Sequence, residues 1–246
     1  MLTTAVVTST IGRDTLRQTI ESVLQQSMPC KHYVFVHGKD YWDKCKTIIS
    51  DYPSVEPVYL PNNNGWSGYG MAPVYALAPF VVNEDVICYL DDDNWIEPSH
   101  VQDAVTLMQN HALDWTFSLR KIVAHDGAYI CEDDCESLGL FTNVFNTYLS
   151  DNSCFSVKTE AARQYGHAWY VKGTSDRSFL AALVNAQLPC GGTGKSTAAY
   201  RLSKDGSQSM TPEAFLNGNH VMTQRYQDGL PWRQPTLFNV PQPATA

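Results

Sequence analysis

The sequence contains no apolar run long enough to cross a bilayer, which takes about 20 consecutive residues in a helix. Its first residues, Met1 to Val7, also lack the basic flank and the long apolar stretch of a secretory signal. We therefore expect a protein without a membrane span that stays in the cytoplasm, where it is made.

Basic side chains are few, because 17 Lys and Arg stand against 25 Asp and Glu, and the formal net charge is -8. Nucleic acids and anionic membrane surfaces bind proteins through basic residues. The charge balance therefore predicts no nucleic-acid partner and no loose association with membranes.

The cysteines have neither the even number nor the spacing of a disulfide framework. Cys131 and Cys135 lie close in sequence, but the second ligand pair of a zinc site is missing. We therefore expect reduced thiols, as in a cytosolic protein. The seven cysteines are Cys30, Cys45, Cys88, Cys131, Cys135, Cys154 and Cys190.

The first half of the chain alternates short apolar segments with amphipathic ones. Thr4 to Thr8, His32 to Val36 and Val55 to Leu60 predict buried strands, and helical periodicity lies between them. Such short connections are typical of a parallel sheet with crossover helices. The 246 residues, 43% of them hydrophobic, suffice for one large domain or two small ones. We expect a single α/β domain over residues 1–210, with a mostly parallel central sheet flanked by helices.

The second half is expected to add a small antiparallel unit. Trp115 to Val123 and Ala128 to Ile130 are separated by Asp126-Gly127, which is a hairpin signal. For Cys131 to Leu149 we expect a mobile acidic loop followed by a short helix. Residues 1–113 would form one half of the domain, and residues 114–210 the other.

The C-terminal region carries two further expectations. Gly191 to Thr197 lacks the spacing of a phosphate-binding loop, and we expect a flexible loop there that closes on a ligand. Residues 211–246 form a C-terminal extension in which prolines accumulate from Pro231 onward, and they predict an extended tail.

Three consecutive carboxylates follow a predicted inner strand, Val86 to Leu90. Asp91, Asp92 and Asp93 cannot share the burial of that strand, and they repel one another at pH 7. A hard divalent cation, Mn²⁺ or Mg²⁺, that bridges carboxylate and phosphate oxygens would make this arrangement favourable. The end of a strand in an open α/β sheet is also where ligands bind. The alternative is a solvated acidic turn without function.

Five motifs, in the expected order over residues 4 to about 185, resemble the family 2 glycosyltransferases of GT-A fold. The resemblance implies an inverting, metal-assisted enzyme that moves one sugar from a nucleotide-diphosphate sugar to an acceptor hydroxyl, as in bacterial or phage glycan synthesis. The motifs are Val6 to Thr10 with a following arginine, Ser22 to Pro29, Asn63-Asn64-Gly65, Tyr89 to Asp93, and Thr174-Ser175-Asp176.

The resemblance also implies roles for single residues. Asp91 and Asp93 match the outer acids of the D-x-D element, the first near the donor ribose and the second on the metal, and Asp92 fills the variable position. Asp176 matches the general base that takes the proton from the acceptor hydroxyl. The candidate donor-binding residues are Thr8, Ser9, Thr10, Arg13, Asp40, Asn64, Gly65, Asp91 and Asp92.

The sequence departs from the family pattern in two places. Many relatives carry acids directly after the second strand to hold the nucleobase, whereas His37, Gly38 and Lys39 precede Asp40 here. The Q-x-x-R-W element of processive synthases is also missing, which favours a single addition. His220 is a candidate additional metal ligand, and its alternative is a solvated loop residue.

Other classes of protein remain possible from the sequence. A phosphatase with a D-x-D nucleophile would carry its acids after the first strand, and a sugar nucleotidyltransferase would need a glycine-rich basic loop there. A non-catalytic carbohydrate-binding protein would stack sugars on exposed aromatic rings. Its candidate rings are those of Trp66, Tyr69, Trp95 and Trp169.

Overall fold

The structure, a computed structural model, describes residues 2–65, 69–204 and 210–240. Within these residues the strands form one ten-stranded sheet. The strands are β1 (Thr4–Thr10), β2 (Lys31–His37), β3 (Val55–Leu60), β4 (Val86–Tyr89), β5 (Trp95–Ile96), β6 (Trp115–Val123), β7 (Tyr129–Glu132), β8 (Phe155–Lys158), β9 (Cys190–Arg201) and β10 (Thr236–Phe238). Their order in the sheet is β10-β9-β6-β8-β4-β1-β2-β3, with β5 paired to β9 and β7 to β6.

Helices cover both faces of this sheet. They are α1 (Leu16–Leu24), α2 (Trp42–Ile49), α3 (Ala72–Leu77), α4 (His100–His111), α5 (Thr159–Tyr165), α6 (Ser175–Asn185) and α7 (Pro212–Arg225). None of the helices in the described part of the chain is both long enough and apolar enough to cross a bilayer.

The parallel part of the sheet is the N-terminal half, in which β4, β1, β2 and β3 lie side by side. Adjacent residues of β1 point to opposite faces of the sheet. Both are buried because helices cover both faces. Val7 packs in a core with Tyr75 of α3 and Phe179 of α6, and Val6 packs in another with Val101 of α4. The predicted α/β fold with a mostly parallel central sheet is confirmed.

The second half of the chain extends the sheet with mixed pairings. Strand β8 pairs antiparallel with both β4 and β6, and β6 and β7 form the predicted hairpin. Between residues 133 and 149, all of them described, no helix forms. The expected short helix is therefore wrong, and the acidic side chains of this loop contact arginines instead.

The predicted flexible loop from Gly191 to Thr197 is wrong, because these residues belong to β9, which pairs in parallel with β6. Glycine allows this close pairing, since a Cβ on Gly192 would lie 2.9 Å from the Phe117 ring. A sequence rich in glycine suggested flexibility, whereas the structure uses the missing side chains to pack a strand.

The expected extended tail is also wrong over most of the described C-terminal residues. Helix α7 begins after Thr211, whose Oγ1 accepts a hydrogen bond from the backbone N–H of Ala214 at 3.3 Å. Phe215 and Met222 of α7 and Trp232 are buried in one core. The prolines that predicted a tail begin at Pro231, after α7 ends, so they carry no information about this helix. Residues 241–246, with the last two predicted tail prolines, lie outside the described residues.

Candidate active site

A cavity of about 980 Å³ lies at the carboxyl ends of the parallel strands. Ser9 and Thr10 at the end of β1, His37 at the end of β2, and the acids that follow β4 line it. Asp176, in the first turn of α6, lines the same cavity. The structure thus brings the predicted acids and the predicted loop residues together at one end of the sheet, where α/β proteins bind ligands.

Helix α1 anchors the acidic turn that follows β4. The side-chain hydroxyl of Thr15 donates to the carbonyl oxygen of Asp92 at 2.8 Å, and that of Thr19 donates to the carbonyl oxygen of Asn94 at 2.7 Å. Because these two hydrogen bonds hold the backbone of the turn, the three Asp side chains leave it in fixed directions.

Asp91 contacts uncharged donors. Its Oδ1 accepts a hydrogen bond from the Tyr75 hydroxyl at 2.8 Å, and both of its oxygens lie 2.8 Å from the Asn152 side-chain nitrogen. Burial raises the pKa of Asp91 to about 7, and the charges of Asp93 and Asp151 add to the rise.

Asp92 and Asp93 share a cation, and we call Arg13, Asp92 and Asp93 the Arg13 cluster. Arg13 Nη1 donates to Asp93 Oδ2 and lies 3.3 Å from Asp92 Oδ1. Asp92 also accepts a hydrogen bond of 2.6 Å from the Thr10 hydroxyl. Burial raises the pKa of Asp93 to about 6, although the Arg13 charge opposes the rise. Arg13 thus holds both carboxyl groups at the cavity.

A second arginine, Arg201 at the end of β9, closes this side of the cavity. Its Nε donates to the carbonyl oxygen of Asp93 at 2.8 Å, and its guanidinium lies over the Trp95 ring at 5.1 Å from the centroid. Its Nη1 donates to the carbonyl oxygen of His125 at 2.8 Å. Arg201 therefore fixes the backbone of the acidic turn to the last long strand.

Another part of the cavity lining belongs to a buried ion cluster that we call the Arg120 cluster, made of Arg120, Asp133, Glu136 and Asp151. Arg120 Nε donates to Asp133 at 2.8 Å, Nη1 to Asp151 at 2.6 Å and Nη2 to Glu136 at 2.5 Å. Burial alone would lower the pKa of Arg120, but the three carboxylates raise it well above its ordinary value.

Asp176 contributes a carboxylate from the start of α6. Its Oδ1 accepts a hydrogen bond of 2.8 Å from the backbone N–H of Arg177, and a helix N-terminus favours negative charge. Burial nevertheless raises the pKa of Asp176 above its ordinary value. An acid in this setting is suited to accept a proton from a bound group.

The loop after β3 reaches the cavity through His37. The side chain of His37 accepts a hydrogen bond of 3.1 Å from the backbone N–H of Asn64 and lies 3.0 Å from the carbonyl oxygen of Gly70. Gly65 lines the cavity, and a Cβ there would lie 2.6 Å from the Cα of Gly70, so glycine is required for this approach. Asn64 itself does not line the cavity, and residues 66–68 lie outside the described residues.

Besides Asn64, three predicted site residues do not line the cavity. Thr8 is fully buried, with its hydroxyl 3.0 Å from His32 Nε2. Asp40 is exposed in a 3₁₀ turn. His220 is exposed on α7, rather than in a loop, and its Nε2 lies 2.9 Å from the Gln224 side-chain nitrogen.

The aromatic rings named for a carbohydrate-binding protein have different positions. Trp169 is fully buried in the core, stacked on Phe179 at 4.4 Å between centroids, so it offers no platform to a sugar. Trp95 lies beneath Arg201. Tyr69 lines the cavity, and Trp66 lies outside the described residues.

Sequence reasoning missed several polar residues of the cavity. The apolar pattern places Arg120 in a strand and no motif marks Tyr75 or Asn152, because nothing in the local pattern shows what a residue contacts across the fold. The one available signal was chemical, since an arginine within the apolar strand β6 needs buried carboxylates as partners.

No group of three or more His, Cys, Asp or Glu side chains in the described residues has the arrangement of a complete metal site. The residues that are present still fit a hard cation bound together with a substrate. Asp93 offers carboxylate oxygens at the cavity, and Asp91, Glu136, Asp151 and Asp176 line it as well.

Comparisons with known proteins agree with this architecture. The sequence profile described as Glycosyl transferase family 2 matches residues 4–126, which is half of the chain. No curated protein matches the sequence.

Several solved structures share the fold. Residues 1–349 of S. aureus TarS in complex with UDP-GlcNAc superpose with a TM-score of 0.60 at 16% identity, covering 93% of this chain and 67% of that chain. The same part of TarS in complex with UDP gives 0.60 at 14% identity, covering 93% of this chain and 72% of that chain. At these identities the likeness shows the shared fold.

Proposed function

We infer that this chain, which belongs to glycosyl transferase family 2 and is a glycosyltransferase, moves one sugar from a nucleotide-diphosphate sugar to an acceptor hydroxyl. The observation that carries the proposal is that Asp93 and Asp176 line one cavity at the carboxyl ends of the strands. The fold shared with TarS, which was solved with UDP-GlcNAc and with UDP, supports a nucleotide-sugar donor.

The donor is proposed to lie along the ends of β1 and β4. Ser9, Thr10 and Gly65 line the cavity there and offer hydroxyl and backbone groups to a nucleoside. Arg13 offers a cation to the diphosphate, and Asp91 offers carboxylate oxygens to the ribose hydroxyls. Since Thr8, Asp40, Asn64 and His220 do not line the cavity, we leave all four out of this assignment.

Asp93 is proposed to hold a divalent cation, Mn²⁺ or Mg²⁺. When bound, such an ion supplies Lewis-acid stabilisation of the charge on the departing nucleoside diphosphate. In this arrangement Arg13 leaves Asp93 and turns its guanidinium to the diphosphate, where a planar cation binds phosphate oxygens well. Arg201 keeps the acidic turn in place during this change through its bond to the Asp93 carbonyl oxygen.

Asp176 is proposed as the general base of an inverting transfer. The acceptor hydroxyl gives its proton to Asp176 while its oxygen forms the new bond to the anomeric carbon, on the face opposite the leaving diphosphate. The raised pKa of Asp176 suits this role, because a base works best when its pKa approaches the working pH. The first turn of α6 fixes the carboxylate through the Arg177 backbone N–H.

The setting of the reaction is part of the same proposal. All seven cysteines lie in described residues as free thiols, which suits a reducing cytoplasm. We place the reaction there, in bacterial or phage glycan synthesis, with residues 1–113 as the donor half, 114–210 as the acceptor half and 211–246 as a C-terminal extension.

The test combines ligand binding with two substitutions. UDP, GDP, CDP and ADP are screened by thermal shift with and without Mn²⁺, since a ligand that binds only the native state raises its apparent stability. We expect Asp93→Asn to remove the Mn²⁺-dependent shift, and Asp176→Asn to keep it.

Turnover is followed as nucleoside diphosphate released from a panel of nucleotide sugars in the presence of sugar acceptors. Asp176→Asn should lower this rate by about 10²–10⁴-fold, the usual contribution of a general base. Full wild-type turnover in EDTA would reject the metal-assisted version, and undiminished turnover of Asp176→Asn would reject the assigned base.

A further inference from the structure

Asp91 is the member of the acid triplet whose carboxylate accepts hydrogen bonds from uncharged side chains, whereas Asp92 and Asp93 contact Arg13. Two uncharged donors reach it from distant parts of the chain, Tyr75 from α3 and Asn152 from the turn before β8. We propose that Tyr75 and Asn152 are positioning residues that fix the Asp91 carboxylate in the orientation that binds the donor ribose. The inference rests on the proposed function.

The hydrogen bonds leave the Asp91 carboxylate little freedom. Asn152 Nδ2 lies 2.8 Å from both oxygens, and the Tyr75 hydroxyl lies 2.8 Å from Oδ1. The terminal torsion of an aspartate is otherwise soft, so an unheld carboxylate would sample many orientations. An ionised carboxylate has about four acceptor positions, so these donors still leave capacity for a hydroxyl in the cavity.

Tyr75 is itself held rigidly. Its side chain is fully buried, and its ring centroid lies 4.9 Å from that of Tyr89 and 5.3 Å from that of Trp169. The phenol therefore points its hydroxyl at Asp91 without needing to lose rotamer freedom when a substrate binds.

Asn152 receives its position from the neighbouring Arg120 cluster. Its own Oδ1 accepts a hydrogen bond of 3.1 Å from the Ser153 backbone N–H, which turns the amide nitrogen toward Asp91. The preceding residue, Asp151, accepts hydrogen bonds from Arg120 and from the Ser153 backbone N–H, and its own N–H donates to Ser137. The orientation of Asp91 in the donor half thus depends on the Arg120 cluster in the acceptor half.

The first experiment measures nucleotide binding by calorimetry with Tyr75→Phe and Asn152→Ala. The probe is the nucleoside diphosphate that binds the wild type most tightly among UDP, GDP, CDP and ADP, in the presence of Mn²⁺. We expect each variant to weaken binding by about tenfold, the lower end of the effect of removing an outer partner of a ligand residue. Tyr75→Phe keeps the ring packing, so it remains informative if Asn152→Ala folds poorly.

Two matched controls remove similar groups elsewhere. Tyr33→Phe deletes a hydroxyl that lies 3.3 Å from Glu84, and Asn143→Ala deletes a buried amide that organises the loop before Leu149. Neither Tyr33 nor Asn143 lines the cavity. Both controls should keep the wild-type dissociation constant, even though Asn143→Ala lowers the melting temperature.

A double-mutant cycle tests whether the two residues act through Asp91. In an Asp91→Asn background, Tyr75→Phe should cause no further loss of affinity, because the group that it orients is already changed. The 2′-deoxy and 3′-deoxy analogues of the probe supply a second readout. Both positioning variants should reduce the preference for the ribose form, which a general loss of stability would not do.

The outcomes separate this inference from the proposed function. Additive losses in the cycle, or an unchanged preference for ribose, would overturn the positioning role while leaving the transferase assignment intact. If none of the four diphosphates binds the wild type with Mn²⁺, the proposed donor class falls, and the inference falls with it. Retained Mn²⁺ binding in both positioning variants, measured by electron paramagnetic resonance, would show that Asp93 is undisturbed.

Discussion

Two arginine–carboxylate clusters contribute to the lining of one cavity, and they differ most in exposure. The Arg13 side chain is 44% exposed where it meets Asp92 and Asp93. The Arg120 side chain is 3% exposed where it meets its three carboxylates. The same pair of functional groups therefore occurs once at the edge of water and once inside the protein.

The difference in exposure indicates which arginine can be displaced from its carboxylates. Arg13 is the more easily replaced of the two arginines, because an ion pair that water reaches contributes less than a buried one loses when it is broken. Removing Arg120 would leave its three carboxylates buried without a cation, which is strongly destabilising. Asp133 also accepts hydrogen bonds from the backbone N–H groups of Cys135, Glu136 and Ser137, which ties the loop to the cluster.

The largest expected effect breaks the buried cluster. Arg120→Met should lower the free energy of unfolding by about 3–5 kcal/mol, because it leaves buried carboxylates without a cation. Urea denaturation measures the change. The control is Lys121→Met, the next residue of β6, whose partly exposed pair with Glu97 should contribute less than about 1 kcal/mol. A loss of similar size in both variants would remove the distinction between the clusters.

The next effect concerns the exposed cluster. Arg13→Gln should increase the affinity of the nucleotide-free protein for Mn²⁺ by roughly tenfold, because it removes a unit charge that competes for Asp93. Electron paramagnetic resonance of free Mn²⁺ measures the affinity. Unchanged or weaker Mn²⁺ binding in Arg13→Gln would mean that Arg13 and the ion do not compete.

A smaller effect is expected on the pH dependence of the free energy of unfolding, which should differ between the two clusters. The pKa of Asp93 is raised in the folded protein to about 6, so its contribution to stability is present below about pH 4 and is lost as the pH rises through 6. Asp93→Asn should therefore stabilise the metal-free protein by about 1 kcal/mol at pH 8 and by less at pH 5. Urea denaturation at the two pH values measures the difference.

Asp133 supplies the opposite case for the same experiment. Burial would raise its pKa, but the Arg120 charge and the backbone N–H donors lower it below its ordinary value. Its contribution is therefore present above the unfolded pKa and is lost as the pH falls through the folded one. Asp133→Asn should destabilise the protein at pH 8, so a gain in stability there would contradict our description of the buried cluster.

The smallest effect is expected at an arginine that is as exposed as Arg13 but does not line the cavity. Arg17, 44% exposed, forms an ion pair with Asp51 at 2.6 Å on the outside of α1. Arg17→Gln should change neither the melting temperature nor the Mn²⁺ affinity measurably, since exposed pairs contribute little. An increase in Mn²⁺ affinity equal to that of Arg13→Gln would show that net charge, and not the contact with Asp93, causes the effect.

The sequence predicted the parts of the molecule whose signal is local. The strand before Asp91 and the crossover helices follow from apolar spacing. The family motifs pointed to Asp93 and Asp176, and both residues line the cavity. The contacts of Arg120 join residues 13, 16 and 31 positions away, which no periodic pattern reports. The strand β9 was missed because glycine was interpreted by its average behaviour. The helix α7 was missed because the tail predicted from the prolines after Pro231 was extended to the whole C-terminal segment.

The position of β8 has a consequence for how the chain can be divided. The part that matches the family profile ends at residue 126 and includes both β4 and β6, yet β8, which begins at Phe155, lies between those two strands. During synthesis β4 and β6 emerge with unpaired edges and must wait for a later strand to join them. A fragment that stops at residue 126 would expose those edges, and we expect it to aggregate rather than fold as a smaller enzyme.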